Sequence, residues 1–201
     1  MPVTSKHCRA IIQKLLCPFL AGLALVAQAA PLTGVIGQVE PEYIDSYRNF
    51  GTEQGLPQAS VNALLQGRDG YLWIGTNGGL ARFDGESFKT FLASPGGLLS
   101  NRIISLYEDR HGRMWVGTQG GGIALYESGR FHTLDFCGGT CQVNAIRPSA
   151  DGRTIWAIGP QGVFAFDPET LRHQVHHSVF NTFDLIAPMP DGNVYVSGVG
   201  G

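Results

Sequence analysis

Short apolar runs of four to six residues alternate along most of the chain with turns rich in glycine, aspartate and asparagine. Within residues 61–91 this pattern predicts four strands, at 61–66, 71–75, 80–83 and 88–91. Asp-Gly and Asn-Gly pairs between them are typical of hairpins, because these residues tolerate a positive φ. None of these segments has the 3.6-residue periodicity of an amphipathic helix. We therefore expect an all-β chain of short antiparallel strands.

The strand pattern repeats along the sequence. Residues 61–76 recur at 103–118 with a constant offset of 42, including the tryptophan and the Gly-Thr that follows it. A third copy starts at Val143 and a fourth at Leu185. Four strands in 40–45 residues is the period of a β-propeller blade. We assign a first strand, three blades and the start of a fourth to residues 47–50, 61–91, 103–134, 143–177 and 184–201.

The first of these segments bears on how the ring closes. Residues 47–50 resemble residues 88–91, the last strand of blade 1, so we expect them to complete the final blade of the ring. A propeller takes at least four blades. The sequence thus predicts a β-propeller of about three and a half four-stranded blades in an incomplete ring. We expect the 201 residues to be the N-terminal fragment of a longer protein.

Three tryptophans occupy the same position of successive copies, namely Trp73, Trp115 and Trp156. Blades pack on both faces, so we expect each ring to fill the space between adjacent blades. An aromatic platform for a ligand is the alternative interpretation.

Composition and charge limit the function classes. Glycine accounts for 28 of the 201 residues, and the formal net charge is −2. The first 29 residues hold three of the 14 basic residues and no acidic one, which leaves the remainder with a net charge of −5. A mildly acidic body has no electrostatic footprint for nucleic acid.

The N-terminus has the features of a secretory signal peptide. A short basic stretch precedes an apolar run at 15–27, and Ala27-Gln28-Ala29 fits the small-x-small rule for cleavage. We expect cleavage after Ala29, a lead-in at 30–46 and export to the periplasm. An uncleaved anchor helix is the alternative, although the run is short for a membrane span.

Two cysteines remain after the predicted cleavage. Cys137 and Cys141 lie in Cys-Gly-Gly-Thr-Cys, and in an oxidising compartment such a pair can close a small disulfide loop. A zinc half-site is the weaker alternative, since no second ligand pair follows at a suitable spacing.

The first copy of the repeat is the most informative. From Gly55 to Gly85 it resembles the two-component-regulator propeller repeat, in particular at Leu72-Trp73-Ile74-Gly75-Thr76. The third copy departs from the pattern, with Pro160 in place of the threonine. The resemblance implies the periplasmic sensor of a bacterial transmembrane signalling protein, dimeric when complete. Its output domain, a histidine kinase or a diguanylate cyclase, and its membrane segment lie outside this sequence.

One face of the predicted disc is rich in amides and hydroxyls. In up-and-down blades the connection from one blade to the next lies on the same face as the connection between the second and third strands of a blade. Such side chains both donate and accept hydrogen bonds, which suits a small-molecule, oligosaccharide or peptide ligand. The alternative is that they only form turns. The candidate ligand-face residues are Gln58, Ser60, Asn77, Asn101, Arg102, Gln119, Gln142 and Gln161.

Other chemistry is weakly represented. His173, His176 and His177 form a histidine cluster, but in a strand His176 opposes the other two, so we expect no metal site. No nucleophile elbow, P-loop or zincin motif occurs. We expect no cofactor and no catalytic residues in this chain. A secreted propeller enzyme (a lyase or glycosidase) and a secreted interaction module without signalling are the alternative functions.

Overall fold

A computed structural model describes residues 48–176 and 185–197. These residues form three four-stranded antiparallel sheets, one two-stranded sheet and a short 3-10 helix, Thr52–Gln54. Blade 1 comprises β1 (Val61–Gln66), β2 (Leu72–Thr76), β3 (Leu80–Phe83) and β4 (Phe88–Phe91). Blade 2 comprises β5 (Ile103–Glu108), β6 (Met114–Thr118), β7 (Ile123–Glu127) and β8 (Arg130–Leu134). Blade 3 comprises β9 (Ala145–Pro148), β10 (Ile155–Gly159), β11 (Gly162–Phe166) and β12 (His173–His176), and blade 4 begins with β13 (Leu185–Pro188) and β14 (Val194–Ser197).

The all-β propeller prediction is confirmed, since consecutive strands pair as hairpins within each blade. Blade 3 differs in detail, because its first strand begins at Ala145 instead of Val143. The backbone N–H of Val143 donates to the carbonyl of Thr118 at 2.9 Å and so belongs to the junction with blade 2. The predicted signal peptide and lead-in, Tyr47, His177 and residues 198–201 lie outside the described residues. In the described part of the chain, no helix is long and apolar enough to cross a membrane.

The predicted ring-closing strand is not formed by residues 48–50, the part of it that the structure describes. A strand needs a partner for its backbone hydrogen bonds, and no described strand lies alongside these residues. Phe50 packs on blade 1 instead, with its ring centroid 4.8 Å from that of Phe83 and 5.7 Å from that of Phe88.

The blades are arranged around their first strands. β1 lies beside β5, β5 beside β9, and β9 beside β13, so the first strand of each blade is the innermost. Apolar cores fill the spaces between neighbouring blades. Trp73 packs with residues of blade 2 such as Leu106 and Val116, and Trp115 packs with residues of blade 3. Both rings are almost completely buried.

Trp156 differs from the other two tryptophans, because it is only half-buried. It occupies the same position in blade 3 and faces blade 4, where it packs beside Ile186 and Val194. Trp73 and Trp115 each also contact an aromatic ring on the third strand of the next blade, Tyr126 and Phe166 respectively. The described part of blade 4 has two strands, so the third-strand side of Trp156 lacks this cover.

The glycine two residues after the tryptophan, on the second strand of blades 1 and 2, has a packing role. A Cβ atom on Gly75 would lie 2.7 Å from Cγ2 of Ile103, and one on Gly117 would lie 2.9 Å from Cγ1 of Val143. Such distances are too short for real carbon atoms. The absence of a side chain therefore allows the innermost segment of the next blade to approach.

The threonine next in the repeat closes the turn between the second and third strands. Oγ1 of Thr76 donates to the carbonyl of Gly79 at 2.8 Å and accepts from the N–H of Gly78 at 3.1 Å. Thr118 makes the same pair of bonds with Gly122 and Gly121. Both threonines are fully buried, so these bonds satisfy groups that water cannot reach.

Candidate functional site

A cavity of about 350 Å³ lies along the innermost strands, and we call it the axial cavity. Each of the four blades contributes to its wall. This volume falls in the range of small-molecule sites in proteins. The residues that line the axial cavity are Asn62, Ala63, Leu64, Ile104, Ser105, Leu106, Asn144, Ala145, Arg147 and Leu185.

A first group of polar side chains lies at the junction of blades 1 and 2 and reaches the axial cavity through Asn62. Nδ2 of Asn62 donates to Oδ1 of Asn77 at 2.8 Å and to the carbonyl of Ile103 at 2.9 Å. Nε of Arg102 donates to the same Asn77 oxygen at 3.3 Å. A β-bulge at residues 61–63 interrupts the pairing of β1 with β2 at this point. The structure thus brings two predicted ligand-face residues together with Asn62, which the sequence analysis missed.

A second polar group lies at the junction of blades 2 and 3. Nε2 of Gln142 donates to Oδ1 of Asn144 at 2.6 Å, and Oε1 of Gln161 accepts from the backbone N–H of Gln142 at 3.2 Å. Gln119 and Gln142 form an isolated antiparallel bridge between the two blades. Three predicted residues therefore meet here, beside an asparagine that directly precedes the innermost strand of blade 3.

The remaining predicted ligand-face residues bond locally. Oε1 of Gln58 accepts from the backbone N–H of Ser60 at 2.5 Å, and Nε2 of Gln58 donates to the Ser60 hydroxyl at 3.3 Å. Oδ1 of Asn101 accepts from the N–H of Ala93 at 2.6 Å. These three side chains shape loops, which agrees with the turn-forming alternative for this part of the face.

Arg147 supplies the positive charge of the axial cavity. Its side chain is exposed, and Nη1 donates to the carbonyl of Ile146 at 2.8 Å. The sequence pattern did not single out Arg147. A signal was available for the two asparagines of the site, because the repeated Val-Asn-Ala at 61–63 and 143–145 places a polar residue inside a predicted strand.

The lining of the axial cavity combines amides, a hydroxyl and a guanidinium. Amides and hydroxyls donate and accept hydrogen bonds, and a guanidinium presents several donors in a fixed plane. This set of groups can recognise a polar molecule that carries hydroxyls, carbonyls or a carboxylate.

A different cluster lies at the junction of blades 2 and 3, around the turn that joins β5 to β6. Oδ2 of the buried Asp109 accepts from Nε1 of Trp115 at 2.9 Å and from Nε of Arg113 at 2.8 Å. Nη2 of Arg113 donates to the carbonyl of Pro168 in blade 3. Burial raises the pKa of Asp109, but hydrogen bonds from Trp115 and Arg113 outweigh it and hold the pKa below its usual value.

An exposed ion pair lies beside this cluster. The Glu169 carboxylate of blade 3 accepts from Nη2 of Arg110 and lies 3.0 Å from Nε2 of His111, both on the blade 2 turn. The Arg110 bond is the main cause that lowers the pKa of Glu169. Together the two clusters fasten the turn of blade 2 to blade 3.

The cysteine and histidine candidates lie away from the axial cavity. A disulfide joins Cys137 and Cys141, whose Cα atoms are 6.0 Å apart. His173 and His176 lie on β12, an exposed strand, against the rings of Phe166 and Trp156. Within residues 48–176 and 185–197, no group of three or more potential ligands is placed to hold a metal ion.

Another cavity, of about 510 Å³, runs along the outer strands of blade 3. Its walls include Arg153, Asp167, Arg172 and His173. Only one blade contributes to it, and it lies on the outer side of that blade. We therefore place the candidate site at the axial cavity, where four blades converge.

Comparison with known proteins agrees with this architecture. The profile of the two-component-regulator propeller repeat matches residues 55–78 and 97–120. The chain carries two-component-regulator propeller repeats. A stretch of 49 residues is 41% identical to histidine kinase P4 of Formosa agariphila and covers 24% of this chain and 4% of that protein.

Solved structures with the same fold include two extracellular domains of hybrid two-component systems from B. thetaiotaomicron. The domain of BT3049 superposes with a TM-score of 0.67 at 23% identity, over 76% of this chain and 24% of that one. The domain of BT4673 gives 0.60 at 22% identity, over 69% and 19%. Streptogramin B lyase gives 0.55 at 18% identity, over 71% and 49%. The chain spans about a quarter or less of the two extracellular domains, and the likeness to all three concerns the fold.

Proposed function

We propose that this chain is part of the exported ligand-binding sensor of a transmembrane signalling protein, and that the ligand binds at the axial cavity. The propeller repeats carry this proposal, since they match the profile of two-component regulators and the folds of extracellular sensor domains. The predicted signal peptide supports export to the periplasm. The output domain, a histidine kinase or a diguanylate cyclase, would lie in a further part of the protein.

The axial cavity supports ligand binding because its polar groups come from several blades. Asn62 lies on β1, Ser105 on β5 and Arg147 on β9, and Asn144 directly precedes β9. A ligand that bridges these strands changes the relative free energy of blade arrangements. Differential affinity of this kind is what shifts a two-state sensor, and in a homodimeric protein it would be passed to the membrane through the partner contact.

The chemistry of the lining favours a polyhydroxyl or peptide ligand. Asparagine side chains pair with hydroxyl and amide groups, and Arg147 pairs with a carboxylate. An oligosaccharide with an acidic sugar and the C-terminal end of a peptide both combine these features.

A binding screen tests the ligand proposal. Thermal unfolding of the 201-residue chain would be followed with neutral oligosaccharides, uronic-acid oligosaccharides and short peptides. We expect one class to raise the melting temperature, and Arg147→Gln to reduce that rise. Arg153→Gln, an exposed arginine outside the axial cavity, is the matched control. No rise with any class, or an equal loss in both variants, would contradict binding at the axial cavity.

The reading frame of the source DNA tests the signalling proposal separately. We expect it to continue through further blades, a transmembrane helix and a kinase or cyclase domain. A stop codon after Gly201 would favour a secreted module without signalling and would overturn this part of the proposal.

A further inference from the structure

The junction between blades 1 and 2 has a cavity where the junction between blades 2 and 3 has a buried ion pair. At the repeat offset of 42, Asp109 corresponds to Gly67 and Arg113 corresponds to Tyr71. The two side chains that fill the later junction are therefore missing from the earlier one. A cavity of about 260 Å³ lies in their place, and we call it the wedge cavity.

The indole of Trp73 faces this space with an unused donor. In blade 2 the equivalent Nε1 of Trp115 donates to Asp109 at 2.9 Å. Nε1 of Trp73 is fully buried and has no hydrogen-bond partner among the residues that the structure describes. A buried donor without an acceptor costs free energy, so this position has a specific demand for an acceptor.

A guanidinium lies next to this donor. The Cζ atom of Arg82 is 4.0 Å from the centroid of the Tyr71 ring and 5.7 Å from that of Trp73. Stacking on the two rings fixes the guanidinium plane at the wall of the wedge cavity. The wedge cavity therefore has an indole N–H and a guanidinium side by side. In blade 2 the same two kinds of donor, from Trp115 and Arg113, bind the Asp109 carboxylate.

Three carboxylates line the wedge cavity as well. Glu127 is exposed, and Glu108 is half-buried, where its Oε2 accepts from the backbone N–H of Arg68 at 2.9 Å. Asp69 is exposed and lies at the Trp73 end, since its Oδ1 and Nε1 of Trp73 are 2.5 Å and 3.3 Å from the position that a Cβ on Gly67 would take. The donors of Trp73 and Arg82 favour an anionic group at the buried end, and the carboxylates of Glu108 and Glu127 favour a cationic group. A ligand that carries both charges fits this lining. The volume lies below the range of drug-sized sites, so the ligand is small.

We propose that the wedge cavity binds a small zwitterion of the amino-acid type. Its carboxylate accepts from Nε1 of Trp73 and from Arg82, as the Asp109 carboxylate accepts from Trp115 and Arg113 in the next blade. Its ammonium group faces Glu108 and Glu127. This site is separate from the axial cavity and does not depend on the ligand proposed there.

Indole resonances in a ¹⁵N–¹H spectrum of the 201-residue chain provide a direct test, since the chain has three tryptophans. The probes are L-alanine, L-glutamate, L-lysine and L-phenylalanine, with propionate as the control that lacks the ammonium group of L-alanine. We expect at least one amino acid to move the Trp73 resonance downfield, and propionate to bind more weakly than L-alanine. Trp73→Phe assigns the resonance by its loss.

A variant that supplies the missing acceptor sharpens the test. Gly67→Asp places a carboxylate at the position of Asp109; its Cβ would lie 2.5 Å from Oδ1 of Asp69, which must turn away, and 3.3 Å from Nε1 of Trp73, which must shift by a few tenths of an ångström. We expect the Trp73 resonance to move downfield without ligand and the amino-acid affinity to fall about tenfold or more. Gly67→Ala controls for the added Cβ, and Arg147→Gln controls for the axial cavity.

Two results would overturn the proposal. One is a Trp73 resonance that none of the four amino acids moves in the wild-type chain. The other is an amino-acid affinity of Gly67→Asp equal to that of the wild type. Equal affinity for propionate and L-alanine would show that the ammonium group does not contribute to binding. The ligand would then be a simple carboxylate and not a zwitterion. Loss of binding in Arg147→Gln would place the amino acid in the axial cavity and so contradict the wedge assignment.

Discussion

At the scale of single residues, the repeated Trp-x-Gly-Thr is explained by two different contacts. Gly75 and Gly117 have no side chain because Ile103 and Val143 of the following segment occupy the space. Thr76 closes a buried turn with both a donated and an accepted hydrogen bond. The glycine therefore serves the packing between blades, and the threonine serves the fold within one blade.

Replacement of Gly75 by alanine tests the packing role. The new Cβ would lie 2.7 Å from Cγ2 of Ile103, which is completely buried and cannot move aside freely. Overpacking of a tight core costs about 1–3 kcal/mol, so we expect the free energy of unfolding to fall by that amount. Urea titration measures the change. Gly51→Ala is the matched control, because its Cβ meets only Oε1 of Gln54 at 3.5 Å, and equal stability of the two variants would refute the packing role.

The sequence predicts the environment of some of these residues and not of others. The positions of Trp73 and Trp115 follow from the period of the repeat, since equal spacing implies equal environments. The contact of Gly75 with Ile103 does not, because it joins residues of two different blades. The role of Asn62 depends on a β-bulge that turns its side chain toward the next blade, and strand alternation alone does not reveal it.

At the scale of elements, the side chains on the turn between the first two strands differ between blades 1 and 2, and so does the packing at the junction with the next blade. Blade 2 fills the junction with Asp109 and Arg113, whereas blade 1 leaves the wedge cavity at the same place. The repeat sequence shows that Gly67 and Tyr71 of blade 1 stand where blade 2 has Asp109 and Arg113. It does not show that these two positions face the same space, because they lie on opposite sides of a tight turn.

The Asp109 cluster predicts a specific dependence on pH. The folded protein holds the pKa of this carboxylate below its ordinary value of 3.8, so the ionised group stabilises the fold at neutral pH. That contribution is complete above the ordinary value and is lost as the pH falls through the lower folded value. Asp109→Asn should cost about 3–5 kcal/mol at neutral pH, because it leaves Arg113 buried without its partner.

Denaturation at several pH values measures this effect. We expect the difference in unfolding free energy between the wild type and Asp109→Asn to shrink below pH 3.8. Asp135→Asn is the control, since Asp135 is exposed and takes no part in the Asp109 cluster. Titration of the Asp109 carboxyl by ¹³C NMR gives a second reading that does not require a variant. A pKa at or above 3.8 in the folded chain would contradict the assignment.

At the scale of the whole molecule, burial at one repeat position depends on the blade beside it. Leu64, Leu106 and Ile146 are equivalent, and their exposed fractions are 63%, 8% and 0%. Leu64 faces away from blade 2, and no described blade covers it. At the other end Tyr195 takes the tryptophan position and is 63% exposed, whereas Trp115 is fully buried. The described blades thus present an apolar face at each end.

These two faces predict self-association of the 201-residue chain. Apolar surfaces shaped to receive a blade associate when another copy is available, because burial of apolar area is favourable. We expect sedimentation velocity to show a sedimentation coefficient that rises with protein concentration. The double variant Leu64→Lys, Tyr195→Lys should remain monomeric, since charge on both faces opposes burial. Leu92→Lys is the control, because Leu92 is also exposed but follows the last strand of blade 1. A wild-type chain that stays monomeric at every concentration would mean that other residues already cover the two faces.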